Sequence, residues 1–194
     1  MSKYKRILVF SASVGMGAHL EDVNDAYAYK LQKYLGNIEL VINAASGRSN
    51  LEILSEILKH KEYKEGDLVL PGWSMASRDV VFDGKGNVEE RIGPFEKMEN
   101  SALLDHWAYV HTEADMTIRT WYYAHHAEMY LKTKGVATCH MSFDGHTDLY
   151  KPDYLNVDIL FFGGRIDRAK DGIHPGKESH RVIYEKIKTA LCLK

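Results

Sequence analysis

Apolar residues along this chain follow two rhythms. Short apolar runs bounded by Gly, Ser, Asn or Pro alternate with stretches where apolar residues recur every three or four positions. The first rhythm marks a buried strand and the second an amphipathic helix. Strands are predicted over residues 5–10 (KRILVF), 38–43 (IELVIN), 67–70 and 135–143 (GVATCHMSF). Residues 155–162 (LNVDILFF) read as a fifth short strand or a loop packed on the core. Helices are predicted over 21–35, with Gly36 as a stop, over 50–60, and over 176–192 with Val182, Ile183, Ile187, Ala190 and Leu191 on one side. Residues 101–133 are rich in aromatics, contain no Gly or Pro, and predict one long helix or two. Pro71 is expected to end regular pairing of the third strand. Residues 78–100, with Gly84, Gly86, Gly93 and Pro94, read as a hairpin-like insertion over one end of the sheet.

This alternation of strand and helix predicts an α/β fold with a mainly parallel sheet, in a single domain spanning 1–194. Reactive groups in such folds collect on loops beyond the carboxyl ends of the strands. Residues 11–18, 44–50 and 72–78 are such loops, and DGIHPG (171–176) precedes the last helix.

Composition narrows the function classes. The 194 residues are 45% hydrophobic and 27% charged, with a net charge of −2 and both signs interspersed. No basic stripe suits nucleic acid. No apolar run approaches the roughly 20 residues of a membrane span. The N-terminal run Ile7–Phe10 is shorter than the roughly 7–15 residues of a signal core, so a cytoplasmic protein is expected. Cys139 and Cys192 lack disulfide-framework and metal-ligand spacing and are expected as buried free thiols. Oligomeric state is left open.

A serine hydroxyl becomes a nucleophile when a histidine, itself oriented by a carboxylate, takes its proton. Donors must also face the oxyanion that forms in acyl transfer. Ser13 sits between a strand and a helix, where its side chain meets the sheet edge and backbone N–H groups lie close by. Ser11 is its competitor. Asp171 and His174 are three apart in a turn that can present both to one site. Each feature alone also fits a helix cap or a turn residue.

Together, the strand–FSAS–Gly loop, the G-x-S-N loop, the GWS loop and the C-terminal DGxHP resemble the SGNH (GDSL-like) hydrolase family, in order along residues 5–77 and 136–192. The resemblance implies a three-layer α/β/α sandwich with a flavodoxin-like five-stranded sheet in the order 2-1-3-4-5. It implies Ser13 as nucleophile, His174 as base and Asp171 as the base's partner. Gly47 matches the glycine whose N–H is an oxyanion donor, and Asn50 just beyond it orients that loop. Ser74 stands where the family has an oxyanion Asn, so its hydroxyl or a rotated backbone N–H must stand in. Ser11 and Ala12 replace the family's Gly and Asp. The implied reaction is hydrolysis of short-chain acyl or O-acetyl esters of a small molecule or carbohydrate, without metal or organic cofactor. The substituted blocks also fit a catalytically weak or inactive binding module on the same scaffold. A flavodoxin-like binder of a phosphorylated small molecule is a third reading.

Other features carry less. His106, His111, His125 and His126 lie near Glu113, Asp115 and Glu128, but no HExxH-type spacing marks a metal site. His140 and His146 flank the fourth strand, within possible reach of the site. Trp73 is expected as a wall against which an acyl group or sugar stacks, and Arg78 meets an anionic group or pairs at the surface. Gly15 and Gly17 belong to no nucleotide-binding motif.

Overall fold

A computed structural model describes residues 3–92, 112–144, 150–162 and 165–193. Its strands are β1 (Arg6–Ser11), β2 (Glu39–Ala44), β3 (Asp67–Trp73), β4 (Asp79–Phe82), β5 (Val88–Ile92), β6 (Ala137–Thr138), β7 (His140–Ser142) and β8 (Ile159–Phe161). Its α-helices are α1 (Tyr27–Tyr34), α2 (Asn50–Lys59), α3 (Glu113–Thr133) and α4 (Lys177–Ala190). The main sheet is parallel and runs β2-β1-β3-β7-β8, with β6 also on β3. Counting β6 and β7 as one interrupted strand, this is the expected 2-1-3-4-5 order.

Every residue of β1 and β3 is buried, as a strand covered on both faces requires. Alternate side chains feed two cores. Ile7, Val9, Leu68 and Leu70 meet Tyr27 and Leu31 of α1 and Ile183 and Ile187 of α4. Leu8, Phe10, Val69 and Trp73 meet Ile53 and Ile57 of α2 and Trp121, Ala124 and Leu131 of α3. The result is the three-layer α/β/α sandwich.

Several expectations change in detail. β3 runs through Pro71, whose Cα pairs with Phe10. Backbone groups of alternate residues of a parallel strand face the same neighbour. Val69 O accepts from Cys139 N–H and Trp73 O from Phe143 N–H, so Pro71 faces that same side. Its missing N–H therefore falls opposite the break between β6 and β7, where the interrupted neighbour makes it tolerable. The helix expected over 21–35 begins only at Tyr27. Asp22 instead accepts from Asn24 N–H and caps a short 3₁₀ turn, Val23–Asp25. The fifth strand shrinks to β8, with Leu155 and Val157 buried in irregular chain before it. Cys139 is buried but Cys192 is exposed, because the chain turns away just after α4 with Cys192 at φ 52°.

The expected hairpin is β4–β5, antiparallel around a turn in which Asp83 accepts from the N–H groups of Lys85 and Asn87. Arg91 clamps it to Glu52 of α2, and Arg119 of α3 holds Asp79. Residues 93–100, and 101–111 of the expected helical segment, lie outside the described residues. No helix among the described residues is long and apolar enough to cross a membrane.

At the amino edge of the sheet, Arg6 Nε donates to Asp67 Oδ1 (3.0 Å) and one of its terminal nitrogens to Oδ2 (2.7 Å). Arg6 is 6% and Asp67 2% exposed, so each charge depends on the other. Asp67→Ala should lose about 3–5 kcal/mol of unfolding free energy by urea titration. Joint replacement of both residues by apolar ones should recover most of that loss. Beneath α4, His180 stacks on Tyr27 and accepts its N–H at Nδ1. Burial lowers its pKa from the ordinary 6.5 to about 4. Between those values the unfolded chain binds the extra proton, so stability should fall as pH drops from about 6.5 toward 4. Melting curves of His180→Leu should be flatter over that window.

Candidate active site

The site lies at the carboxyl edge of the sheet, where β1, β2 and β3 end side by side. Ser11 closes β1 and its hydroxyl donates to Gly72 O of β3 (3.0 Å). It is fully buried and engaged there, which removes it as the competing nucleophile. A Cβ on Gly15 would come within 2.4 Å of the Ser11 Cβ. Gly15 therefore lets the 3₁₀ turn Ser13–Met16 fold tightly against the strand end. That turn leaves Ser13 at its first position.

Ser13 Oγ lies 2.9 Å from His174 Nε2, although 161 residues separate them. The other ring nitrogen of His174, Nδ1, contacts Asp171 Oδ2 in a short hydrogen bond. A carboxylate only accepts, so Nδ1 carries the proton and Nε2 is left to accept from Ser13. Asp171 Oδ1 accepts the backbone N–H groups of Ile173 and His174, each at 3.0 Å. Burial pulls the Asp171 pKa upward. The N–H and ring of His174 and the N–H of Ile173 outweigh it and hold the carboxylate well below its usual range.

What aims this turn is the start of α4. Its N-cap, Gly176, has no side chain to cap with, and Asp167 takes that role from nine residues earlier in the chain. It accepts from Glu178 N–H (2.9 Å), Ser179 N–H (2.8 Å) and the Ser179 hydroxyl (2.7 Å). Any Cβ on Gly176 would come within 2.5 Å of Asp167 Oδ2. The loop closes through Ala169 N–H to His174 O and Gly176 N–H to Asp167 O. Arg165 and Arg168 hold the carbonyls of Ile173 and Gly172.

The other expected site residues are placed as follows. Gly47 is half-buried at φ 75° on the loop after β2, which adjoins the first loop through Ala45 N–H to Ser11 O. Asn50 joins the second and third loops. Its Oδ1 accepts Ser74 N–H (2.6 Å), and its Nδ2 donates to Ser74 O and Thr120 Oγ1. This bond occupies the Ser74 backbone N–H, so only the Ser74 hydroxyl proton remains to stand in for the absent Asn. Arg78 donates to that hydroxyl oxygen at 3.0 Å. Trp73 corrects its expectation as a cleft wall. It is 0% exposed, stacks on His140 and donates its indole N–H to His140 Nδ1 (3.2 Å). Its position as a strand residue turns the ring into the core.

Sequence reasoning missed two features. His140 is 3% exposed and bonds Glu128 of α3 through Nε2, so a buried chain links Trp73, His140 and Glu128. The hydrogen bond from His140, with further ones from Thr138 and Lys132, outweighs burial and lowers the Glu128 pKa to about 2. His19 stacks on the His174 ring at 4.9 Å with 26° between planes. Its only signal in the sequence is nearness to Ser13.

No protein-family model and no curated protein matches this sequence. Solved structures do match in fold. A member of the lipolytic protein G-D-S-L family from Veillonella parvula superposes with TM-score 0.56 at 11% identity, over 97% of this chain and 99% of its own. The psychrotrophic esterase EstA from Pseudoalteromonas sp. gives 0.55 at 13% identity, over 96% of each chain. An acetyl xylan esterase gives 0.56 at 12%, over 95% of this chain and 98% of its own. The fold is thus that of the SGNH (GDSL-like) hydrolases.

The Asp167 cap sets the pose of the turn that carries Asp171 and His174. Asp167→Ala should lower stability by about 1–2 kcal/mol in thermal or urea unfolding. Asp167→Asn, which keeps acceptor capacity, should lose less.

Proposed function

We propose that this protein hydrolyses carboxylic esters with Ser13 as nucleophile, His174 as general base and Asp171 as the carboxylate that orients it. The observation that carries this reading is the unbroken chain from Ser13 Oγ through His174 to Asp171. Ser13 Oγ attacks the ester carbonyl as His174 Nε2 takes its proton. Asp171 keeps Nδ1 protonated and offsets the imidazolium charge. The N–H groups of Ser13 and Gly47 and the Ser74 hydroxyl, with its oxygen turned by Arg78, supply the oxyanion donors. His174 returns the proton to the leaving alcohol. Water, activated by the same imidazole, then releases the acyl group. No metal or organic cofactor enters these steps.

We assign short acyl or O-acetyl esters, including those of carbohydrates, as the substrate class. The similarity to an acetyl xylan esterase supports that class. The cytoplasm is the proposed setting. The second reading, a binding module with little or no catalysis, is favoured by one observation: Ser74 stands where the third loop would carry an Asn donor. Loss of one such donor is worth about 3 kcal/mol in kcat.

Hydrolysis of p-nitrophenyl acetate by wild type, Ser13→Ala and Asp171→Asn separates the two readings. The triad predicts that Ser13→Ala falls to background. It also predicts that Asp171→Asn, which no longer holds the correct tautomer, loses about 10⁴-fold in kcat. A fluorophosphonate probe should label wild type at Ser13. Equal rates for wild type and Ser13→Ala would reject the assignment, and an unlabelled wild type would favour the binding module.

A further inference from the structure

Among the described residues, His19, Asp171 and His174 bring two imidazoles and a carboxylate together, with one ligand atom from each lying within 4.8 Å of the others. His19 Nε2 is 3.8 Å from Asp171 Oδ2, and the His19 side chain is 51% exposed. An ion in solvent can therefore reach the cluster from the His19 side. The loop carrying His19 is tied to the turn carrying the other two, because Lys170 N–H donates to His19 O (3.3 Å). His19 sits in the left-handed region at φ 63°, which directs its side chain back over the His174 ring. None of the steps proposed for ester hydrolysis uses this third residue.

We infer that His19, Asp171 and His174 form a binding site for a borderline divalent transition metal such as Zn²⁺, and that occupancy switches the triad off. Two imidazoles and one carboxylate suit Zn²⁺, Cu²⁺ or Ni²⁺, whereas Mg²⁺ and Ca²⁺ favour all-oxygen shells. Nitrogen and oxygen ligands about 2.0–2.2 Å from a tetrahedral zinc lie about 3.4 Å apart. The His19–Asp171 separation is close to that span. His174 completes the set through Nδ1 once the ion replaces the hydrogen bond between Nδ1 and Asp171 and His19 turns out of its stack on His174, so that both rings can aim a nitrogen at the metal.

The inhibitory consequence follows from proton placement. A neutral imidazole carries one N–H. When Nδ1 gives its lone pair to a metal, its proton must move to Nε2, and Asp171 remains a carboxylate. The imidazole then donates to Ser13 Oγ instead of accepting from it, and the serine keeps its proton. Inhibition rests on the hydrolase reading, but metal binding does not.

Titration of the full chain with Zn²⁺ alone, against a chromophoric chelator, tests the site. Co²⁺ visible absorption reports a tetrahedral shell independently. His19→Asn is the diagnostic variant, since Asn tolerates a positive φ, and circular dichroism checks its fold. Wild type should bind one equivalent, and His19→Asn should bind at least tenfold more weakly. Exposed His126→Ala should bind like wild type. Zn²⁺ should slow fluorophosphonate labelling of Ser13 in wild type, EDTA should restore it, and the ratio of rates with and without Zn²⁺ should approach one in His19→Asn. Wild-type-like affinity in folded His19→Asn, or no binding by wild type, overturns the site. Binding that depends on His19 in a protein that hydrolyses no ester and takes no probe supports the site and overturns only the hydrolase reading.

Discussion

The carboxylate of Asp167 sets the geometry on which the site depends. Helix α4 begins at a glycine that can offer its first turn no acceptor, so two first-turn N–H groups without intrahelical partners and the Ser179 hydroxyl converge on a side chain nine residues earlier. Meeting that demand draws residues 167–176 into a closed loop. Gly176 passes so close to Asp167 that a methyl group would not fit. Asp171 and His174 ride on this loop and face Ser13 across it. Losing the cap would remove three hydrogen bonds beside the turn that carries His174, and general base action requires placement within hydrogen-bond reach.

The opposite wall of the site is braced by the same logic of satisfied polar groups. The first three loops beyond the sheet are bonded to one another: Ser11 to Gly72, Ala45 to Ser11, Asn50 to Ser74, and Ala76 to Asp144 after β7. Behind them the buried chain from Trp73 through His140 to Glu128 ties the end of β3 to helix α3. A buried network of this kind is rigid only when every member has a partner. Here the indole N–H and both nitrogens of His140 are used. At this corner the Trp73 indole fills core volume, and Asn50, from the neighbouring loop, supplies the carboxamide that holds the Ser74 backbone.

Asp171 has two claims on it. Its Oδ1 serves the turn's own backbone, while its Oδ2 faces His174 and, farther off, His19. A carboxylate held ionised by backbone N–H groups suits an orienting partner for imidazolium and also suits a ligand for a cation. Electrostatics alone do not choose between the two. In the two proposed roles the proton position on His174 does, since a proton on Nδ1 leaves Nε2 to accept from Ser13, and a proton on Nε2 leaves Nδ1 to bind a metal.

The chain's own pattern determined the class of fold. Buried strands such as RILVFS alternate with helices whose apolar faces repeat at helical spacing, and that order points to a covered parallel sheet. That Ser13 meets DGIHPG was legible only through the family resemblance, since each feature by itself also fits a cap or a turn; the structure brings Ser13 Oγ and His174 Nε2 within 2.9 Å. Details that rest on contacts across the sheet were not legible. Pro71 reads locally as a strand terminator, yet the break in a neighbouring strand spares it. Trp73 reads as a surface loop residue until strand pairing two residues past the proline turns it inward. Asp167 resembles any polar loop residue, and His19 any exposed histidine, because a cap or ligand supplied from a distant segment leaves no periodicity in the sequence. Local spacing determined which elements form and which residues were candidates for chemistry. Tertiary structure decided which of those residues meet, since hydrogen bonds and packing between remote segments depend on distances that only the folded chain possesses.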